Sequence, residues 1–149
     1  MAGVIKTCYD NGRLREEYFE NDGKKEGEYK SYFPSGKLHV ICNYVDGKIE
    51  GEYKSYYDNG RKYEICNYVD GKRESEYKSY YSNGHLFVIC NYIDGKREGE
   101  HKAYSRNGRK YEICNYVDGK IEGESETYCD DRKLLYTRNY VNGIEQYKN

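Results

Sequence analysis

The sequence of 149 residues contains no tryptophan, one methionine and a single proline, Pro34. Proline has no amide N–H to donate and interrupts sheets, so its scarcity leaves nearly every segment free to pair as a strand. Hydrophobic residues make up only 36% of the chain, below the roughly 45–50% of average globular domains. The sequence also lacks an apolar run long enough for a transmembrane helix. A thick globular core is therefore not expected.

The chain has no excess of either charge, because 25 Lys and Arg residues are interleaved with 26 Asp and Glu residues. Such a surface creates no strong field, which argues against nucleic acid and against an anionic bilayer as the primary partner. The first residues contain no apolar stretch of signal-peptide length. We therefore expect a soluble chain in the reducing environment of the cytoplasm, without a signal peptide or a transmembrane segment.

The abundant residues are 21 tyrosines, and they recur within a 24-residue repeat. The phrase CNYVDGK stands at 42–48, 66–72 and 114–120, and at 90–96 with Ile in place of Val. A fixed period indicates units that stack on their neighbours because one unit alone cannot bury its apolar surface. We predict one repeat domain over 1–149. Its units lie near 1–12 (partial), 13–36, 37–60, 61–84, 85–108, 109–132 and 133–149 (partial cap).

Two turn signals alternate along each unit, one Asn-Gly or Ser-Gly and one Asp-Gly, and short alternating segments lie between them. These dipeptides are strong hairpin signals, since their residues tolerate the positive φ of tight turns. The pattern predicts an all-β fold without helix: an elongated, twisted, open single-layer antiparallel meander built from 24-residue hairpins. About twelve strands are expected, near 3–9, 14–20, 27–33, 38–45, 50–57, 62–69, 74–81, 86–93, 98–105, 110–117, 122–129 and 134–141.

Alternation assigns side chains to two faces of the predicted sheet. If residues 70–73 form a loop, one face carries columns of Cys, Tyr, Gly and Ser, and an aromatic ring covers each cross-strand glycine. The expected pairs are Tyr44 with Gly51, Tyr92 with Gly99, and Tyr116 with Gly123. The opposite face mixes Ile and Val with Glu, Lys and Tyr. That mixed face is either solvated or a surface for dimerisation or partner binding.

The residues with reactive chemistry follow the repeat. Neighbouring members of the column Cys42, Cys66, Cys90 and Cys114 are two strands, roughly 9.5 Å, apart, which is too far for a disulfide. Close CxxC pairs, a phosphate loop and a nucleophile elbow are all missing, and the three histidines occupy different columns. We therefore predict no disulfide, metal, cofactor, catalytic residue or small-molecule substrate.

Three sets of residues are candidate binding sites. His101 and Ser105 replace aromatic residues of their columns, which indicates either a notch for a partner side chain or drift in a tolerant repeat. A tyrosine column is either a partner-binding surface or cross-strand packing over lysine stems. A lysine column on one face is a candidate site for anionic lipid. The tyrosine column is Tyr32, Tyr56, Tyr80, Tyr104 and Tyr128, and the lysine column is Lys30, Lys54, Lys78 and Lys102.

The segments 68–74 (YVDGKRE) and 94–100 (DGKREGE), followed by an aromatic pair and Asn-Gly, resemble MORN (membrane occupation and recognition nexus) repeats. The variant MORN family is the closer likeness, over nearly the whole chain. Tyrosine stands where MORN repeats usually have Trp, Cys42 and its equivalents stand where Gly is common, and Ser75 breaks a glycine column.

The resemblance implies an open array of hairpins that acts as a protein-interaction or scaffold module without enzyme activity. It also implies phospholipid binding in some members and an antitoxin-like role in bacterial variants. We accordingly expect a protein partner or self-association. The alternatives are peripheral binding to anionic phospholipid and antitoxin-like neutralisation of a partner protein.

Overall fold

The computed structural model describes residues 1–147, which form strands joined by turns and contain no helix. All strands belong to one antiparallel sheet in which the main strand order follows the chain. The strands are β1 Ala2–Cys8, β2 Leu14–Asn21, β3 Lys24–Tyr32, β4 Leu38–Val45, β5 Lys48–Ile49, β6 Gly51–Tyr56, β7 Lys62–Val69, β8 Lys72–Tyr80, β9 Leu86–Ile93, β10 Lys96–Arg97, β11 Gly99–Tyr104, β12 Lys110–Val117, β13 Lys120–Ile121, β14 Gly123–Tyr128, β15 Leu134–Val141 and β16 Ile144–Gln146. The predicted all-β antiparallel meander is confirmed.

The chain divides into two compact units, Met1–Lys72 and Arg73–Asn149. The prediction of one repeat domain with the boundaries given above stays a prediction.

The Asp-Gly signals form two-residue turns, tighter than the predicted four-residue loop. In the first unit Asp46 has φ 51° and Gly47 φ 80°, and the flanking Val45 and Lys48 pair across the hairpin. Two successive positive φ values are typical of a type I′ turn, which matches the twist of antiparallel strands. The turn signal was therefore correct, and the length assigned to the loop was wrong.

The shorter turn shifts the register, so the predicted tyrosine–glycine pairs are wrong. Tyr44 pairs with Ile49, and a bulge follows before Ile41 pairs with Lys54. Gly51, with φ 79°, lies at this bulge and pairs instead with Tyr68 of the next strand. In the second unit Gly99 pairs with Tyr116 and Gly123 with Tyr140. A tyrosine ring does lie opposite each glycine, but it comes from the strand that follows the glycine and not from the strand that precedes it.

The same bulge explains the strand count. Three predicted strands, 50–57, 98–105 and 122–129, are shortened to six residues, and a separate two-residue strand precedes each of them, because a left-handed residue leaves the ladder locally unpaired. The structure also contains β16, which pairs with β15 and was not predicted. Sixteen strand segments therefore replace the predicted twelve.

One face of the sheet is packed, and it is the face predicted from the Cys, Tyr and Ser columns. In the first unit Cys42, Cys66 and Ser55 are at most 5% exposed. In the second unit Val88, Cys90, Tyr92 and Ala103 form a buried cluster, flanked by the half-buried rings of Tyr77, Phe87 and Tyr111. Aromatic rings supply the cover that the low aliphatic content cannot.

Contacts between successive Asp-Gly turns explain most of the repeated phrase DGKxEG. Lys48 Nζ lies 2.6 Å from Asp70 Oδ1, and the amide N–H of Asp70 donates to Glu50 Oε2 at 2.7 Å. Gly71 donates to the carbonyl of Ile49 at 3.0 Å. In the second unit Lys96 and Glu98 make the same contacts with Asp118. Lysine and glutamate therefore recur because each turn is fixed to the preceding one.

Candidate interaction surfaces

The packed face contains ordered pairs of rings and cations. Tyr29 and Tyr44 stack edge to face with centroids 5.6 Å apart, and Lys25 Nζ lies 4.4 Å from the Tyr29 centroid. In the second unit Arg97 lies 5.2 Å from the Tyr116 ring and donates to its hydroxyl at 3.1 Å. Cations over aromatic faces add stability where water is excluded. These side chains serve the packing of the sheet.

The cysteines of the packed face are poor nucleophiles. Burial raises the pKa of Cys42 and of Cys114 to about 11, so their thiolates are scarce at neutral pH. All six cysteines are free thiols, and Cys8 is exposed. Over residues 1–147 no group of His, Cys, Asp and Glu side chains is arranged to hold a metal ion.

His101 and Ser105, for which the sequence left a notch or drift open, have different surroundings in the second unit. His101 is only 6% exposed, and its ring lies 5.6 Å from that of Tyr116. Burial, with a smaller contribution from Arg97, lowers its pKa from 6.5 to about 4. The Ser105 hydroxyl donates to Asn107 Oδ1 at 2.5 Å within the turn. Partner binding by either residue stays a prediction.

The tyrosine column consists of half-buried rings, each opposite a leucine or lysine stem. In the first unit Tyr32 pairs with Leu38 and Tyr56 with Lys62. In the second unit Tyr80 pairs with Leu86, Tyr104 with Lys110 and Tyr128 with Leu134. Backbone carbonyls of this column also accept hydrogen bonds, as from Tyr81 Oη to Tyr104 O at 2.9 Å. Cross-strand packing accounts for these contacts, and a binding role for the column stays a prediction.

The lysine column, predicted as a lipid site, is paired with glutamates. Lys54 Nζ lies 2.5 Å from Glu52 Oε1, and Lys78 Nζ lies 2.5 Å from Glu76 Oε1. Lys30 and Lys102 pair in the same way with the glutamate two residues earlier, Glu28 and Glu100 respectively. Residues i and i+2 of a strand share a face, so each lysine charge is opposed locally. Lipid binding by this column stays a prediction.

The lysine column ends at the last hairpin of the second unit, β14–β15, where a glutamate that was not among the predicted site residues takes its place. Glu126 stands where the other repeats have lysine, and it pairs with Ile113 on one side and Thr137 on the other. A cleft of about 280 Å³ opens beside it. We call this the acidic cleft; its lining residues are Glu100, Ile113, Cys114, Asn115, Glu124 and Glu126. Aligning the repeats column by column would have revealed the substitution.

A row of β-branched residues lies exposed on the same face, which we call the outer face. In the second unit these residues immediately precede the tight turns: Ile93 is 52% exposed, Val117 47% and Val141 51%. We call these three residues the aliphatic row. Val141 pairs with Ile144, which is 68% exposed and replaces a lysine of the other turns. In the first unit the equivalents Val45 and Val69 are each 48% exposed.

No helix that could cross a bilayer occurs in the part of the chain that the structure describes.

Comparison with solved structures finds similarity to the "Crystal structure of GtfA/B complex bound to UDP and GlcNAc", with 14% sequence identity and a TM-score of 0.30. The match covers 73% of this chain and 21% of that chain, so this protein spans about a fifth of that relative's length. A similarity this low carries no argument about fold or function. Comparison with curated proteins finds no match.

Comparison with family models finds four consecutive matches to the model described as MORN repeat variant. They cover residues 25–46, 49–70, 73–94 and 97–118. Each matched segment ends at the aspartate of an Asp-Gly turn and contains the glutamate that accepts the amide N–H of that aspartate. Because the matches cover more than half of the sequence, the chain belongs to the MORN repeat variant family.

Proposed function

We propose that this chain is a non-enzymatic interaction module that binds another protein through the outer face of its sheet. The observation that carries the proposal is the aliphatic row. Its three β-branched side chains recur once per repeat and remain about half exposed, from 47% to 52%. Repeated apolar side chains on one open face are typical of protein-binding surfaces.

The two faces differ in what they offer a partner. The packed face is occupied by its own rings, thiols and hydroxyls, of which Cys114 is 4% and Ser125 5% exposed. On the outer face of the second unit Lys102 and Glu100 neutralise each other. A partner that covers this pair therefore desolvates little net charge. The outer face is the one available for binding.

The family supports the same class of function. MORN repeats are generally binding or scaffold modules that contact proteins or membrane lipids, and they are typically non-catalytic. A protein partner, a second copy and the target of an antitoxin-like neutraliser all require an accessible protein-binding face. Anionic phospholipid remains the alternative, and the pairing of the lysine column with glutamates weakens it.

Photo-crosslinking followed by reconstitution tests the proposal. A benzophenone amino acid at Val117 identifies the partner, and the purified pair is then titrated. We expect Val141→Glu to weaken binding at least about tenfold, because a carboxylate would be buried without a counter-charge. Leu134→Glu is the matched control, since Leu134 lies at the other end of β15 and is also 51% exposed.

Equal losses from both substitutions would refute binding at the aliphatic row. Strong co-sedimentation with anionic vesicles, abolished by salt and insensitive to Val141→Glu, would favour the lipid alternative.

A further inference from the structure

We propose that the outer face of strands β14 to β16 selects a partner segment that carries a lysine or arginine next to an aliphatic residue. Glu124 and Glu126 would pair with the cation, and Val141 and Ile144 would contact the aliphatic side chain. This inference rests on the proposed function, because it names the chemistry of the partner for the same face.

The other repeats show how a cation is held at this position. A lysine of the chain itself pairs with the glutamate two residues before it in four successive hairpins: Lys30 with Glu28, Lys54 with Glu52, Lys78 with Glu76 and Lys102 with Glu100. In the last hairpin Glu124 occupies the glutamate position and Glu126 the lysine position. The recurring pair has therefore lost its cation and gained a second carboxylate.

Adjacent strands do not replace the missing cation. Glu126 lies between Ile113 and Thr137, and Glu124 pairs with Asn139. Glu126 accepts a hydrogen bond from the Tyr128 hydroxyl, which leaves further acceptor positions on the carboxylate. Within residues 1–147 neither carboxylate forms an ion pair.

The acidic cleft has the shape and lining for a long cationic side chain. Its volume is about 280 Å³, and its lining includes Ile113, the apolar cross-strand neighbour of Glu126. Lysine and arginine rest their methylene stems on apolar surface while the charged end reaches polar groups. The lining residues include no lysine or arginine, and in the part of the chain that the structure describes Glu100 is the only one of the three lining glutamates with an ion pair, to Lys102. The cleft can therefore accept a cation supplied from outside.

A second departure from the repeat lies on the same face, at the turn that follows this hairpin. Ile144 replaces the lysine that follows the other Asp-Gly turns, and its cross-strand partner is Val141. Their exposures of 68% and 51% make this the most open aliphatic pair of the outer face. It adds apolar contact area at the position where the other turns present an ammonium group.

The spacing of the two features fits an extended partner. Asn139, the cross-strand neighbour of Glu124, is two residues before Val141 on β15. Glu124 and Val141 are therefore diagonal neighbours on adjacent strands, about 7–8 Å apart, which is close to the roughly 6.8 Å between side chains two residues apart on one strand. A partner strand with a basic residue at i and an aliphatic residue at i+2 matches this distance. Unpaired carboxylates also repel anionic membranes, so this end of the outer face favours a protein.

Peptide titration of the ¹⁵N-labelled full chain tests the inference. The probe is the acetylated and amidated hexapeptide Ser-Arg-Thr-Val-Ser-Val, and the control peptide has Glu in place of Arg. We expect amide shifts at Glu124, Glu126 and Val141 with the arginine peptide alone. Binding should weaken as ionic strength rises from about 0.01 to about 1 M, because the screening length falls from about 30 to about 3 Å.

The deciding variant is Glu126→Lys, which restores the pattern of the other four hairpins and is therefore expected to fold. It should weaken binding of the arginine peptide at least about fivefold, the loss that corresponds to one exposed ion pair. Asp10→Lys, at an exposed position of the first turn, is the control with the same change in net charge.

Three results would overturn the inference: unchanged affinity in Glu126→Lys, equal binding of the glutamate peptide, or no amide shifts at about 5 mM arginine peptide, several times the dissociation constant of a weak millimolar complex. The proposed function is tested separately, by the effect of Val141→Glu on the cross-linked partner. If Val141→Glu releases the cross-linked partner while Glu126→Lys does not, the aliphatic row stands as the binding surface and the acidic cleft does not select the partner. If neither variant matters, the proposed function fails as well.

Discussion

Replacing Ser75 by glycine should stabilise the second unit. Ser75 has φ 67°, whereas the equivalent glycines of the other hairpins lie between 74° and 79°. It is an exposed residue at the bulge and pairs with the buried Tyr92. The left-handed region brings the Cβ of an L-residue too close to its own carbonyl oxygen, so Ser75 is strained by its backbone conformation.

The net effect follows from two opposing contributions. Removing the Cβ relieves roughly 1–2 kcal/mol of left-handed strain. Glycine also gives the unfolded chain more freedom, which costs about 0.4–1 kcal/mol. We therefore expect Ser75→Gly to raise the free energy of unfolding by about 0.5–1 kcal/mol, which corresponds to a rise of about 1–4 °C in Tm for a chain of this size.

Thermal and urea unfolding, followed by circular dichroism, measure the change. Gly99→Ser is the reciprocal variant: Gly99 has φ 78°, and a Cβ there would meet no atom within 4 Å. Any loss in that variant comes from the backbone conformation and not from a collision, and it should match the gain of Ser75→Gly in size. A destabilised Ser75→Gly, or a Gly99→Ser variant as stable as the parent, would refute the reasoning.

Three further predictions concern the packed face and the turns. Iodoacetamide at pH 8 should label the exposed Cys8 rapidly and Cys42 only on unfolding, because burial raises the pKa of Cys42 to about 11. Labelling is read by mass spectrometry, and rapid labelling at both sites would contradict this prediction. Stability should fall as the pH falls from about 6.5 to about 4. In this range His101 binds a proton in the unfolded chain but stays neutral in the folded protein, where its pKa is about 4. Urea titrations at pH 7 and pH 5 should therefore show a smaller loss of stability in His101→Tyr than in the parent. Glu98→Gln should lower the free energy of unfolding in urea by about 1 kcal/mol, because the charged acceptor of the Asp118 N–H, at 2.8 Å, is lost. An unchanged midpoint would show that this contact does not hold the turn.

The sequence predicted the kinds of structural element better than their register. Asp-Gly and Asn-Gly identify turns because few other residues tolerate their backbone angles, and alternation then assigns Cys42 to one face and Ile41 to the other. The pairing of Tyr44 was wrong because a two-residue turn and a bulge give the same strand directions as a four-residue loop. Only hydrogen-bonded partners, such as Gly51 with Tyr68, distinguish the two arrangements.

The candidate sites show a similar limit. The repeat period and the alternation of side chains placed the lysines and tyrosines on one face. They did not show that each lysine forms an ion pair with the glutamate two residues before it. They also could not decide whether His101 marks a notch or drift in the repeat, and the structure adds that this ring is buried against Tyr116. Ion pairs and burial depend on where side chains lie relative to those of the neighbouring strands. The repeat period alone does not give these positions.

The sequence by itself determined that this protein is a stack of 24-residue β-hairpins, with thiols and rings on one side and aliphatic and charged residues on the other. These properties follow from local turn chemistry and from the two-residue period of a strand. The tertiary structure decided which residues meet across strands: how each Asp-Gly turn docks on the one before it, which cations are already paired, and that Glu124 and Glu126 are not. The cross-strand pairs depend on the bulge in each hairpin. A bulge shifts the register between two strands by one residue, and the repeat pattern of the sequence is the same with or without that shift.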